Sequence, residues 1–93
     1  MMDLVYTYDR TRLEIVEMPG ESDVEFTLKF ADHALEKQFS AVRDYFYGND
    51  DLTDAYFHTS LDKVIKVSLK QEYYTEFLLQ LFKNKLLVSL LWK

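Results

Sequence analysis

The chain has no cysteine, two glycines and one proline among its 93 residues. Without cysteine it cannot form a disulfide, a thiolate nucleophile, or a cysteine-ligated zinc or iron–sulfur centre. A loop that wraps a phosphate needs several positions with positive φ or close backbone approach, and Gly20 and Gly48 are too few and too far apart to supply them. The sequence therefore excludes a P-loop and a dinucleotide fingerprint, and we expect no cofactor.

Long apolar runs are missing as well. The most apolar region, residues 77–92, is interrupted by Lys83 and Lys85 and falls short of the ~18 residues that a membrane span needs. The N-terminus has no basic region followed by an apolar run, so we expect no secretory signal. These features predict a soluble, cytoplasmic protein without a membrane partner.

What is present is the composition of an ordinary globular protein. Apolar residues make up 48% of the chain and charged residues 29%, a balance that separates it from disordered chains. A chain of this length can bury one modest core, so we expect a single domain spanning residues 1–93.

Apolar residues alternate with polar ones in the first third of the chain, which predicts strands over residues 4–8, 11–17 and 24–30. The last two are expected to pair. Pro19 and Gly20 between them suit the central positions of a type II turn, within a loop of about four residues.

Helical spacing begins at residue 31. Asp32 is the expected N-cap, and Gly48 is expected to end the helix in a left-handed conformation. A second helix is expected after a capping box formed by Ser68 and Gln71. The residues expected on the inner faces of the two helices are Ala31, Ala34, Leu35, Phe39, Val42 and Phe46, then Tyr74, Phe77, Leu78, Leu81 and Phe82.

Three further strands complete the pattern. Residues 54–59 are expected to form either a strand or a short helix. The alternation over residues 65–70 is a clearer strand signal, and residues 86–92 are expected to form the last strand. In that last strand Leu87 and Leu91 would face away from the helices and need a cover, either the N-terminal hairpin or a second copy of the chain. We favour the internal cover and hence a monomer over a homodimer.

The expected fold class is α+β in the order βββαββαβ, with a mixed or antiparallel sheet and two helices packed on one face. From residue 23 onward the order matches that of a ferredoxin-like fold. In that fold the first strand is flanked on both sides, which leaves no room beside it for residues 11–17. Either the N-terminal hairpin packs elsewhere, or a three-stranded meander is extended in another strand order.

One set of residues resembles a catalytic site. Asp54, Tyr56, His58 and Ser60 would share one strand face, and an acid, a phenol and an imidazole are groups used in acid–base chemistry. Neighbours on one face lie roughly 7 Å apart and rarely converge on one atom, so the favoured interpretation is a solvated edge strand without a catalytic role. A small enzyme or ligand-binding domain would require a pocket of at least ~300 Å³ that reaches His58.

No metal site is expected. His33 stands alone in the first turn of a helix, and the acids that follow Gly48 lack the spacing of an EF-hand loop. We interpret the cluster of Asn49, Asp50, Asp51 and Asp54 as a solvated loop at the exit of the helix.

Charge is distributed unevenly along the chain. Residues 1–60 hold thirteen acids and five bases, a net −8, and residues 61–93 hold three acids and six bases, a net +3, which together give the −5 of the whole chain. The asymmetry predicts either complementarity between the two halves or an acidic surface that binds a basic partner. A net negative charge without a basic stripe argues against nucleic-acid binding.

The function expected from the sequence is a small non-enzymatic protein-interaction or regulatory module that presents an acidic surface or a strand edge to a protein partner. The alternative is the small enzyme or ligand-binding domain with its site near Tyr56 and His58.

Overall fold

The computed structural model of the chain describes residues 4–48, 55–60 and 64–93. Within these ranges, strands and helices follow the predicted βββαββαβ order, and the α+β class is confirmed. The elements are β1 (Leu4–Thr7), β2 (Leu13–Pro19), β3 (Asp23–Phe30), α1 (His33–Tyr47), β4 (Tyr56–Thr59), β5 (Val64–Lys70), a single 3₁₀ turn (Gln71–Tyr73), α2 (Tyr74–Lys83) and β6 (Ser89–Trp92).

The strands form two antiparallel sheets. Four of them lie in the order β2-β3-β5-β4, and β1 pairs with β6 in a separate two-stranded sheet. Because β5 is antiparallel to both of its neighbours, β3 and β4 run parallel, with α1 as the connection between them. This is the split βαβ unit of ferredoxin-like folds.

The strand order departs from the ferredoxin-like option beside β3. In that fold β6 would occupy the position next to β3, but β2 pairs there along its whole length, from Leu13 opposite Phe30 to Pro19 opposite Val24. The two strands are joined by a tight turn, so their pairing closes only a short loop, whereas pairing with β6 would close a long one. The expected pairing of residues 11–17 with 24–30 is confirmed.

The turn between β2 and β3 is tighter than predicted. The Gly20 N–H donates to the Asp23 carbonyl at 2.7 Å, and no described glycine has a positive φ, so a type II turn with Gly20 at its third position was a wrong prediction. Gln71 holds this turn from outside, through its side-chain amide to the Gly20 carbonyl at 2.8 Å and its backbone N–H to the Ser22 carbonyl at 3.1 Å.

The predicted capping box at Ser68 and Gln71 was also wrong. Ser68 lies within β5, and the 3₁₀ turn that precedes α2 begins at Gln71 without a side-chain cap. Gln71 binds the β2–β3 turn and is therefore not the partner of a capping serine.

The core lies between the helices and one face of the four-stranded sheet. Phe26 and Phe30 are on the same face of β3; Phe26 packs on Phe77 of α2 with ring centroids 4.7 Å apart, and Phe30 packs on Phe39 of α1 at 5.6 Å. Both helices therefore cover one face of the sheet, as predicted. We call the opposite, uncovered side the outer face; on β3 it carries Glu25, Thr27 and Lys29.

Helix α1 begins as expected, with the Leu35 N–H donating to the Asp32 carboxylate at 3.1 Å. Its buried stripe is narrower than predicted: Leu35, Phe39, Val42 and Phe46 are buried, whereas Ala31 and Ala34 are exposed. Gly48 ends the helix at φ −86°, a right-handed conformation, so the expected left-handed cap is wrong.

Helix α2 ends in a Schellman motif. Lys85 takes the left-handed position at φ 63°, its N–H donates to the Phe82 carbonyl, and the Leu86 N–H donates to the Leu81 carbonyl. The motif turns Leu86 back onto the core, where it and Leu87 are both buried.

As a result, β6 begins only at Ser89, and the expected alternation from residue 86 fails. Val88 is 68% exposed instead of facing the helices. Phe82, expected on the inner face of α2, is 44% exposed.

Candidate functional site

The predicted face of β4 carries Tyr56 and His58, and both side chains are exposed on the outer face of the sheet. Tyr56 lies opposite Ser68 and His58 opposite Lys66 on β5. Ser60 follows β4, and its hydroxyl and its backbone N–H both donate to the carbonyl of Val64, the first residue of β5. Asp54 lies outside the described residues. The structure therefore resolves residues 56–59 as a strand and leaves Tyr56 and His58 on a flat, solvated surface.

A groove lies on the other face of β4, against α1. Its volume is about 250 Å³, and Phe57 and Thr59 contribute to it from β4. Because strand residues alternate between faces, this places the groove on the side opposite Tyr56 and His58. Among the described residues, those that line it are His33, Glu36, Lys37, Phe39, Ser40, Arg43, Phe57, Thr59 and Ile65.

The floor of the groove is apolar and its rim is charged. Phe39 and Ile65 are buried, and the Phe39 and Phe57 rings lie 5.8 Å apart between centroids. On the rim, His33 Nδ1 lies 3.1 Å from a Glu36 carboxylate oxygen.

The sequence interpretation did not predict this groove; it treated His33 as an isolated residue and Phe39 as part of the core. A signal was present, because residues 36, 40 and 43 recur at helical spacing beside the core stripe. Only the packing of β4 against that stripe turns it into one wall of a groove.

A larger concavity of about 440 Å³ lies beside β2 and is lined by Tyr8, Arg10, Leu13, Glu14 and Ile15. The Tyr8 hydroxyl in it donates to the Ile15 carbonyl at 3.2 Å and accepts from the Ile15 N–H at 3.3 Å. These two bonds occupy the backbone of the edge strand, so the concavity is a depression along that edge.

The same device occurs at the opposite edge of the sheet. The Tyr47 hydroxyl accepts from the Phe57 N–H at 3.2 Å and donates to the Phe57 carbonyl at 3.4 Å on β4. Both edge strands of the four-stranded sheet thus have one residue whose two outward backbone groups are bound by a tyrosine.

A half-buried carboxylate joins the two sheets and α2. One oxygen of Glu17 accepts from the Tyr6 hydroxyl at 2.6 Å and from the Tyr74 hydroxyl at 2.8 Å. Burial, followed by the hydrogen bond to the anionic Glu17 and repulsion from its charge, raises the pKa of Tyr6. Since the contacts link β1, β2 and α2, the cluster fixes the position of the terminal strands.

Exposed apolar side chains gather on the two-stranded sheet. Val5 and Leu91 lie directly opposite each other on one face of it, 37% and 59% exposed; Trp92, opposite Leu4, is 55% exposed on the other face at the end of β6, and the exposed Val88 precedes β6. We call these four residues the terminal-sheet patch. The sequence pattern marked only Leu91 among them, as a residue in need of a cover, because the exposure of the others depends on where the sheet packs.

Within the described parts of the chain, no group of three His, Asp or Glu side chains is placed to hold a metal ion. Among those same residues, no helix is both long and apolar enough to cross a bilayer.

Comparison with known proteins adds no relative. The chain matches no protein-family model, and neither the curated proteins nor the solved structures contain a significant match to it.

Proposed function

We propose that the protein is a non-enzymatic interaction module that binds a protein partner through the terminal-sheet patch. The observation that carries the proposal is the grouping of Val5, Val88, Leu91 and Trp92 in exposed positions on one small sheet. Several large apolar side chains left exposed close together on one small element are more typical of binding sites than single ones.

The strand-edge version of the expected function receives less support. An added strand would need the outward N–H and C=O groups of β2 or β4, and the hydroxyls of Tyr8 and Tyr47 already bind those of Ile15 and Phe57. Pro19, at the end of β2, has no N–H to offer. Such blocking is how edge strands avoid pairing with other chains.

The acidic-surface version is weakened by pairing within the chain. Asp23 lies opposite Lys70 and Glu14 opposite Lys29 in the sheet, so part of the acidic excess faces bases of the same molecule. Of these two pairs, Asp23 and Lys70 join the two halves of the chain, whereas Glu14 and Lys29 both belong to the acidic half.

The terminal-sheet patch has the energetics that an interface needs. Burying one large apolar side chain is worth about 1.5–3 kcal/mol, and tryptophan is enriched among the residues that dominate binding energy. Trp92 is the single tryptophan of the chain and is more than half exposed.

Charge near the patch defines the chemistry of the partner. Lys83, Lys85 and Lys93 are exposed around β6, and residues 77–93 contain no acid. The partner that fits is a protein with an apolar groove bordered by acidic side chains.

The test is capture from an extract of the source cell with the immobilised protein and two matched variants. Leu91→Ser with Trp92→Ser removes the patch. Val16→Ser with Met18→Ser removes apolar side chains that are 46% and 62% exposed on the outer face of β2. We expect one protein to be retained by the wild type and the β2 variant and lost by the patch variant.

The captured protein is then titrated into the wild type while Trp92 fluorescence is recorded. Burial of the indole should shift its emission to shorter wavelength. A partner retained equally by all three proteins, or bound without a change in Trp92 emission, would show that the interface lies elsewhere.

A further inference from the structure

We propose that the groove between α1 and β4 binds a small aromatic carboxylate. This site is separate from the terminal-sheet patch and does not depend on the function proposed for it. Small-molecule sites are concave and mostly apolar, with a few polar groups that fix orientation. The groove has this composition, with an apolar floor below charged side chains of α1.

The floor suits an aromatic ring. Phe39 and Phe57, 5.8 Å apart, belong to a chain of tilted ring contacts that continues to Phe46 at 5.9 Å from Phe57. Phe57 is only half buried, so its ring has a free side facing the groove. A ligand ring placed there would extend the cluster in the tilted geometry that aromatic pairs prefer.

The rim suits one negative charge. Of the lining residues that the structure describes, Lys37 and Arg43 are basic and Glu36 is the one acid, a net charge of +1 with His33 neutral, in a chain whose net charge is −5. The groove is therefore locally positive on an acidic protein.

Lys37, Ser40 and Arg43 follow one another at intervals of three along α1, a row about 9 Å long. Arg43 Nε lies 3.8 Å from an Asp44 carboxylate oxygen, and both side chains are largely exposed. An exposed pair of this kind is worth little, so the guanidinium can form a bidentate contact with a ligand carboxylate.

Size and charge together narrow the ligand class. At about 250 Å³ the groove is smaller than the ~300–1,000 Å³ typical of drug-sized ligands, which restricts it to a single ring with a short chain. Glu36 on the rim and Asp44 next to Arg43 disfavour a doubly charged phosphate. A monocarboxylate fits both limits.

The experiment uses 3-phenylpropionate as the probe and its neutral analogue 3-phenylpropionamide as the matched ligand. Each is titrated into the full chain while backbone amide shifts are recorded by NMR. We expect saturable shifts confined to α1 and β4, with a dissociation constant on the order of 1 mM or tighter for the acid and about tenfold weaker for the amide.

Variants test the basic rim and the apolar interior of the groove separately. Lys37→Gln and Arg43→Gln should each weaken binding of the acid by about fivefold, whereas Lys66→Gln, on the outer face of the sheet, should leave it unchanged. Thr59→Trp fills the groove from its exposed rim and should abolish binding of both probes. Thermal melting of each variant verifies that the fold is kept.

Several results would overturn the proposal. These are the absence of saturable shifts, shifts centred on the outer face, equal affinity for acid and amide, or folded Lys37→Gln and Arg43→Gln variants that bind like the wild type.

Discussion

Three tyrosine hydroxyls form hydrogen bonds at places where structural elements of this molecule meet. Tyr8 and Tyr47 bind the backbone at the two edges of the four-stranded sheet, and Tyr6 donates to Glu17 where the terminal strands meet β2. The rings of Tyr6 and Tyr8 pack against the core and that of the more exposed Tyr47 packs on Phe57, while each hydroxyl reaches a polar group near the surface. Aromatic residues make up 16% of the sequence, and these three serve polar contacts as well as packing.

The contact between Tyr6 and Glu17 predicts how stability depends on alkaline pH. The pKa of Tyr6 is raised in the fold, chiefly by burial, so the native state favours the protonated phenol. A raised pKa gives stability that is fully present below pH 10, the ordinary tyrosine value, and that falls as pH rises above it. We expect the free energy of unfolding to decrease from pH 9 to pH 11 less steeply for Tyr6→Phe than for the wild type.

The measurement is urea unfolding at several pH values for the two proteins. Lysines titrate in the same pH range in both proteins. The difference between the two plots of unfolding free energy against pH therefore isolates the contribution of Tyr6. Parallel curves would mean that the phenol is not held protonated by the fold.

At the scale of elements, β4 is a short strand whose two faces have opposite roles. Phe57 points into the ring cluster, 5.8 Å from Phe39, while Tyr56 and His58 point to solvent. A strand of four residues at a sheet edge is held mainly by the side chains on its inner face.

Alanine substitutions at adjacent positions of β4 should therefore differ sharply. Phe57→Ala is expected to lower the free energy of unfolding by about 2–4 kcal/mol, because it leaves a cavity beside three phenylalanines and Tyr47, whereas His58→Ala should change it by less than about 1 kcal/mol. Denaturant unfolding of the two variants provides the comparison. A loss above about 2 kcal/mol for His58→Ala would show that the imidazole is buried and hydrogen-bonded, against its placement on the outer face.

The end of α2 offers a second test at this scale, because Lys85 is the one described non-glycine residue with a positive φ, 63°. Glycine adopts this conformation without strain, so Lys85→Gly should stabilise the protein by about 0.5–1 kcal/mol. Lys83→Gly, two residues earlier and inside the helix, should instead destabilise it by up to about 1 kcal/mol. Both are measured by thermal melting, and the same sign of change for the two variants would contradict the cap.

At the scale of the whole molecule, the chain termini form a sheet of their own. The register from Leu4 opposite Trp92 to Thr7 opposite Ser89 joins the first and last described strands, and the Val88 N–H donates to the Thr7 carbonyl at 2.7 Å. Tyr6 and Tyr8 then tie this sheet to β2. Leu87 precedes β6 and is buried in the core, while Leu91 stays 59% exposed, so the cover expected for the two leucines on one strand face is not found for Leu91.

Two aspartate substitutions separate the buried leucine from the exposed one. Leu87→Asp places a charge at a buried site and should unfold the chain or lower its melting temperature by more than 10 °C, whereas Leu91→Asp should alter the free energy of unfolding by less than about 0.5 kcal/mol. Light scattering on both proteins reports the molecular mass. If Leu91→Asp melts like the wild type but halves its mass, the terminal-sheet patch joins two copies of the chain; strong destabilisation by Leu91→Asp would show that this side chain packs within the monomer.

Local patterns in the sequence determine much of this protein. Alternation of apolar residues predicts β2, β3 and β5 and their inner faces, helical spacing predicts α1 with its Asp32 cap, and the βββαββαβ order follows from them. The lack of cysteine and of a glycine-rich loop limits the chemistry available to the chain. These properties depend on neighbours within a few positions, so the sequence carries them directly.

Tertiary structure alone decides the rest. The left-handed Lys85 turns Leu86 onto the core and shortens β6, β2 occupies the place beside β3, and the last strand is left to pair with β1. The groove exists because β4 packs along a polar stripe of α1, and Val5 and Leu91 of the terminal-sheet patch are exposed because one face of the β1–β6 sheet is uncovered. Both surfaces arise from contacts between residues far apart in the chain, and no local periodicity encodes such contacts.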